Sequence, residues 1–422
     1  SAIPGRGAAI SGPGRMVTFQ SAYPGARTPD EPQAPPIEVE ELDFGSGKRW
    51  AVPQRTLSRQ DVAKDSDRIV ETVKRAAANA RIPQPRRPWL DELRPIYNLA
   101  KLGQRRDTEI VLGVLDNPEH QAQEVEYFHP DDNGNILYIG AGGSGKTTAL
   151  RSLAIAASIT PRSGPVHIYG LDFAGGGLSF LTPLPNVGAI ISGEDDERVQ
   201  RLLRHLSRVI EERSARFAAA RASTLSEYRS LADRPAEPRI LVLVDGFGSF
   251  REQYENLFGG WYAAFTRMLV DGRSVGVHVA MSADRPAAVP TSIGAAFSRR
   301  IVLRQADEDA YVMLGVPKDV LGPLSPAGRG MQADKPLELQ LAILGEDVAT
   351  AAQARLIEEM SRAFAQYHST KPTPIRSLPP LIPATTMPAS VRGLPVLGVA
   401  DVDLQPMGFD PHSMILVTGP SG

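Results

Sequence analysis

Cysteine is absent from the 422 residues. Its absence excludes a disulfide framework and any metal site built on thiolates, and it suits a reducing compartment. A dominant charge is missing too. With a net charge of −2, nothing global points to nucleic acid. No apolar run approaches the ~18 residues of a membrane-spanning helix, and no secretory leader stands at the start. The histidines show no metal-ligand spacing, and no Ser/His/Asp arrangement is visible. What remains is ample core material, 42% hydrophobic, in a chain long enough for two or three domains. Beginning at Ser1, it is expected to be a piece of something longer.

The most informative stretch is 136–150. Residues 136–139 are an apolar run, read as a buried strand. Gly140, Ala141, Gly142, Gly143, Ser144, Gly145, Lys146, Thr147 and Thr148 follow and match G-x-x-x-x-G-K-[ST], the phosphate-binding loop. Leu150, Leu153 and Ala154 continue at helical spacing. The order has a physical reason. Glycines let successive backbone N–H groups point inward as an anion nest, and the helix N-terminus adds partial positive charge. Lys146 is the expected partner of the β/γ-phosphates and Thr147 the expected Mg²⁺ ligand. ATP with Mg²⁺ is therefore the expected ligand.

Further apolar runs end in polar groups: 166–172 in Asp172, 239–245 in Asp245, and 275–282 in Ser282; 301–303 is another. Between them lie helical patterns, 194–232 the longest. Strands alternating with helices predict an α/β fold: a mainly parallel sheet of P-loop NTPase type with helices on both faces. Ligands of such sheets sit at the carboxyl ends of the strands, where Gly140, Asp172, Asp245 and Ser282 would gather. Strand-like runs at 109–114 and 124–128 precede this core, and a helix with Leu356, Met360, Ala363, Phe364 and Tyr367 on one stripe is expected over 349–368. Upstream, 24–36 reads as a linker and Ile37 to Glu40 as a strand. Ser58 and Asp61 open a helix whose stripe (Val62, Ile69, Val70, Val73, Ala77) is expected to pack on a domain face. Trp89 and Leu90 lie in an extended Pro-rich segment.

An apolar strand ending in Asp245 supplies the acid that holds the Mg²⁺ shell, making Thr147 and Asp245 the metal pair. The next position, where many such ATPases carry a glutamate that polarises the attacking water, is Gly246. A missing general base typically costs ~10²–10⁴-fold in rate. Glu252 or another nearby acid could substitute, but nothing in the sequence demands it. Tight nucleotide binding with slow or absent hydrolysis is expected. Asp172 could serve Mg²⁺, orient the loop or be structural. Ser282 could sense the γ-phosphate or cap its strand. Arg299, Arg300 and Arg329 are candidates for an arginine finger, against plain surface solvation.

The chain also repeats itself. Val396, Leu397, Gly398 and Val399 restate Val111, Leu112, Gly113 and Val114; Ile415, Leu416 and Gly419 restate Ile136, Leu137 and Gly140. Leu378, Leu381 and Pro383 restate Leu90, Leu93 and Pro95, and Gly328, Arg329 and Gly330 restate Gly5, Arg6 and Gly7. The ordered set predicts a tandem array: the tail of one unit over 1–23, a linker with a helix and a Pro-rich segment over 24–105, a complete unit over 106–370, a Pro-rich linker over 371–392 and the start of a third over 393–422.

The loop at 140–148 with the run Val111, Leu112, Gly113, Val114, Leu115, Asp116, Asn117 and Pro118 resembles the tandem ATPases of the FtsK/SpoIIIE class. Further runs narrow the resemblance: 171–178, 184–188, Glu197 to Val199 with Arg201 to Leu203, and Val244, Asp245, Gly246, Phe247, Gly248, Ser249, Phe250 and Arg251. They are similar to EccC, the motor family of type VII (ESX) protein secretion. The resemblance implies three P-loop domains in a row, with the complete unit similar to the second and lacking the catalytic glutamate. It implies adjacent ATPase domains, other secretion-system components and small helical-hairpin secreted proteins with a C-terminal export signal as partners. It further implies a hexameric ring at the inner face of the cell membrane, with the membrane helices outside this chain. The matching linker region, 58–95 with Trp89 and Leu90, could dock on and restrain the first domain. A DNA translocase is the alternative from the broader class, but neither Gly246 nor the −2 charge agrees with it.

Overall fold

The computed structural model describes residues 5–10, 16–22, 25, 27, 63–83, 90–103, 106–159, 164–367, 370–379, 381–400 and 404–416. The chain divides into two units, Ser1–Arg87 and Pro88–Gly422. The expected strand at 37–40, the cap at 58–61, Val62 and Trp89 lie outside the described residues.

In the first unit, β1 (Arg6–Ile10) and β2 (Met16–Gln20) form an antiparallel hairpin. In the helix Asp65–Asn79, Ile69, Val70 and Val73 of the expected stripe are exposed.

The second unit is built on β3 (Ile110–Asn117), β4 (Ala122–Phe128), β5 (Ile136–Ile139), β6 (Val166–Asp172), β7 (Val187–Ser192), β8 (Arg239–Asp245), β9 (Val277–Ala283), β10 (Arg299–Leu303), β11 (Arg329–Gln332) and β12 (Glu338–Leu341). They form one sheet in the order β4-β3-β12-β11-β10-β5-β9-β8-β6-β7. From β10 to β7 every pairing is parallel; from β10 back to β4 every pairing is antiparallel. The mainly parallel core is the expected one, with an antiparallel extension on one side. Alternation along the strands splits the core in two. Ile136, Tyr138, Leu241 and Leu243 join Leu150 and Leu153 of the helix Lys146–Ser158 on one face. Leu137, Ile139, Val242 and Val244 join Leu202 and Leu206 of the helix Asp196–Ala219 on the other. A continuous apolar run such as Ile240 to Val244 within β8 is what a sheet covered on both faces requires.

Three details differ from expectation. The helical region 194–232 is two helices, Asp196–Ala219 and Leu225–Leu231. Arg221 at φ +55° breaks the first, and Thr224 caps the second by accepting the Glu227 amide at 3.2 Å. The last turns of the linker pack with the core: Leu93 and Leu99 are buried, and Asn98 bridges to Ile343. The helix Thr350–Phe364 buries Ile357 and Met360, but Tyr367 is exposed.

The repeated sequence segments share local conformation. Gly5 (φ +79°) precedes β1 as Gly328 (φ +80°) precedes β11, and each strand opens an antiparallel hairpin. Near the other end β13 (Ser390–Val391), β14 (Leu394–Val399) and β15 (Pro406–Gly408) form a small sheet. The β14–β15 register slips between Val396 and Gly398, as the β3–β4 register slips between Val111 and Gly113.

Candidate nucleotide site

The loop 140–145 joins β5 to the helix Lys146–Ser158, and neighbouring backbone pins it on three sides. Gly140 donates to Ala283 O at 3.1 Å, Ala141 to Arg304 O at 2.8 Å, and Gly328 donates to Ser144 O at 2.8 Å. Gly145 has φ +104°, and a Cβ there would lie 2.7 Å from the Gly328 amide nitrogen. No other residue fits this turn. The helix begins at Gly145 with no side-chain cap, so its first amides and dipole face the loop. Ser144 contributes a buried hydroxyl that has no hydrogen-bond partner.

Lys146 curls back over the loop. Its ammonium donates to Gly140 O at 2.6 Å and Ala141 O at 3.0 Å and pairs with Asp284 Oδ1 at 2.8 Å. Thr147 Oγ1 donates to Asp245 Oδ2 at 2.6 Å. The other carboxylate oxygen, Oδ1, accepts from the Ser282 hydroxyl, which itself accepts from the Gly246 amide at 2.9 Å. Asp245 is fully buried, and burial pushes its pKa up against the lowering effect of the Ser282 and Thr147 hydrogen bonds. A buried carboxylate held only by hydroxyls, with a threonine oxygen beside it, is a donor set suited to a hard divalent cation. The unpinned helix amides, the orphaned Ser144 hydroxyl and Lys146 likewise fit a phosphate chain.

The structure thus brings together 140–147, Asp245 and Ser282. Thr148 Oγ1 accepts from Arg151 at 3.1 Å. Asp172 lies level with Asp245 in the sheet, but its oxygens are taken by the amides of Ala174, Gly176 and Leu178 at 3.1, 3.0 and 2.7 Å. It thereby shapes a glycine turn that lies against Thr147, in keeping with the structural one of its readings. Two of the finger candidates are held inside the fold. Arg299 begins β10 beside Ile136, at the end of the sheet away from the loop, buried and paired with Glu126 and Asp334. Arg329 is buried and bonded to Gln340, Glu338 and Leu93 O. Arg300 is exposed and donates to Phe297 O at 3.2 Å.

Gly246 has φ +80°, and a Cβ there would meet Phe173 C and O at 3.0 Å and Ala174 Cβ at 3.3 Å. Beside it opens a cleft of about 680 Å³ whose lining includes Ala141, Gly142, Glu252, Asp284 and Arg285. Sequence reasoning named Glu252 but missed Asp284. Asp284 stands just past the end of β9, where Asp172 and Asp245 end β6 and β8, but nothing in the sequence ties it to Lys146. Arg304 was also missed; its guanidinium donates to Pro323 O at 3.0 Å while its carbonyl accepts the Ala141 amide, so it ties the segment before Gly328 to the loop.

A glycine loop between strand and helix, its lysine, and a strand-end acid meeting the loop's threonine define a P-loop NTPase core. Residues 101–317 match the model of the FtsK/SpoIIIE family, and the chain belongs to that family. It is 25% identical over 361 residues to the ESX-1 secretion system protein EccCb1 of Mycobacterium tuberculosis, covering 79% of this chain and 60% of that protein. Among solved structures it resembles ATPases 2 and 3 of EssC from Geobacillus thermodenitrificans, with TM-score 0.66 and 22% identity over 76% of this chain and 62% of the other. It also resembles ATPases 2 and 3 of Thermomonospora curvata EccC in complex with a signal sequence peptide, with TM-score 0.60 and 24% identity over 76% and 60%. The chain spans about 60% of the length of the first of these relatives. Among the described residues no helix is long and apolar enough to cross a membrane.

Proposed function

We propose that the second unit binds ATP with Mg²⁺ and hydrolyses it slowly or not at all, within a tandem ATPase that drives type VII protein secretion. The observation that carries this reading is the pairing of a complete phosphate grip with an incomplete water-activating apparatus. Loop amides and Lys146 hold the phosphates; Thr147 and Asp245 hold the metal shell, which Mg²⁺ would use to neutralise phosphate charge when bound. Ser282 keeps the Asp245 carboxylate aimed at Thr147 and also accepts the Gly246 amide. No carboxylate follows Asp245, because the backbone at Gly246 lies where a side chain is strained.

The setting rests on the relatives: EccCb1 is named as an ESX-1 secretion system protein, and the Thermomonospora EccC structure carries a signal sequence peptide. By extension this chain works at the inner face of the membrane beside adjacent ATPase domains. It serves small helical-hairpin substrates with a C-terminal export signal, in a hexameric assembly. The shared hairpins and register slips of the repeats support the tandem boundaries expected from the sequence. Measuring Mg-ATP affinity and phosphate release on one preparation tests the nucleotide reading: firm binding with scant release is expected, and absent binding refutes it. Binding of a cognate secreted hairpin, compared with duplex DNA, tests the setting; preference for DNA refutes it.

A further inference from the structure

The ammonium of Lys146 has three N–H donors, and three acceptors surround it: Gly140 O, Ala141 O and Asp284 Oδ1. Two belong to the loop itself. The third comes from another strand and lies outside the phosphate-loop motif. Asp284 is the first residue after β9, and Ala283 before it accepts the Gly140 amide at 3.1 Å, so its backbone is fixed against the loop. Its side chain is 74% exposed and stands at the cleft shared with Gly142 and Glu252. An anion thus sits on the cation that phosphate has to reach.

We propose that Asp284 is a specificity-determining residue of this site, a resident anion that competes with phosphate for Lys146. This rests on the nucleotide-binding reading and deepens it. A ligand whose phosphates extend to Lys146 has to displace the carboxylate and then tolerate it as a neighbouring like charge. A nucleoside monophosphate, too short to reach the lysine, does neither. Asp284 therefore lowers affinity for di- and triphosphates and leaves monophosphate affinity alone.

The test is calorimetric titration of the full chain with Mg-ATP, Mg-ADP and AMP at fixed pH and ionic strength. Because the contact is exposed, Asp284→Asn is expected to tighten ATP and ADP by about two- to fivefold. AMP affinity and the unfolding midpoint without nucleotide should stay unchanged. Glu252→Gln removes a cleft acid that is not paired with Lys146, and should change ATP affinity by less than about twofold. Unchanged or weaker ATP binding in Asp284→Asn overturns the proposal and makes the residue a positioner of Lys146. Equal tightening in both variants overturns it in favour of a general field of the cleft. If the unaltered protein binds neither ATP nor ADP, the nucleotide-binding reading falls and takes this one with it.

Discussion

Restoring the missing glutamate should fail, and the reason is the backbone. Gly246 sits at φ +80°, ψ 52°, a left-handed conformation. A non-glycine residue there costs roughly 1–2 kcal/mol from backbone strain alone. A Cβ would also press on Phe173 C and O at 3.0 Å and Ala174 Cβ at 3.3 Å. These are backbone and a methyl group, not the ends of flexible side chains, so the turn itself has to shift. That turn is governed by Asp172, which binds the Ala174 amide. Gly246→Glu should therefore destabilise the protein by about 2–3 kcal/mol, and Gly246→Ala by about as much, read by urea unfolding. Phosphate release should stay at the unaltered level in both, far from the ~10²–10⁴-fold that a working general base contributes. A glutamate variant that is as stable as the parent and gains hundredfold turnover would refute the reasoning. It would show that the site lacks only a side chain.

Asp245 is buried with a raised pKa, so Asp245→Asn should leave the nucleotide-free protein at least as stable while removing the Mg²⁺-dependent thermal stabilisation by ATP; differential scanning fluorimetry with and without EDTA reads both. At the other end of the sheet, Arg239 is 1% exposed and pairs with Asp107 at 3.1 Å and Asp131 at 2.6 Å. Arg239→Ala should cost about 3–5 kcal/mol, because buried Asp107 and half-buried Asp131 both lose a cation; urea unfolding measures it. His278 accepts from Arg239 through Nε2 and donates through Nδ1 to Gly134 O at 2.8 Å. Burial, aided by Arg239, lowers its pKa to about 3 from 6.5. The unfolded chain then takes up the proton first, so stability is full above pH 6.5 and falls as pH drops toward 3. His278→Asn should flatten the slope of the urea midpoint against pH in that window.

The core of the site was legible in the sequence because its chemistry is local: a loop of fixed spacing between a strand and a helix, and an acid ending an apolar run. The parallel strands could be read for the same reason, being mainly apolar and alternating with helices. What escaped depends on contacts distant in sequence. Asp284 meets Lys146 across 138 positions of chain, and no spacing rule connects them. Arg299 and Arg329 look like free surface cations in a linear reading, yet Glu126 and Glu338 lie beside them once the antiparallel strands are laid out. The antiparallel side of the sheet was hidden because short strands such as β11 and β12 carry arginine, glutamine and glutamate among few apolar residues. The break at Arg221 was hidden because an arginine at positive φ leaves no compositional trace.

A firm phosphate grip without effective hydrolysis is read by measuring nucleotide binding and phosphate release on the protein after it has been saturated with Mg-ATP. The account predicts stoichiometric binding that Lys146→Ala abolishes. It also predicts release of phosphate slower than about 0.1 per second, some hundredfold or more below an ordinary enzyme. Saturable binding accompanied by tens of turnovers per second, or binding indifferent to Lys146→Ala, would contradict it.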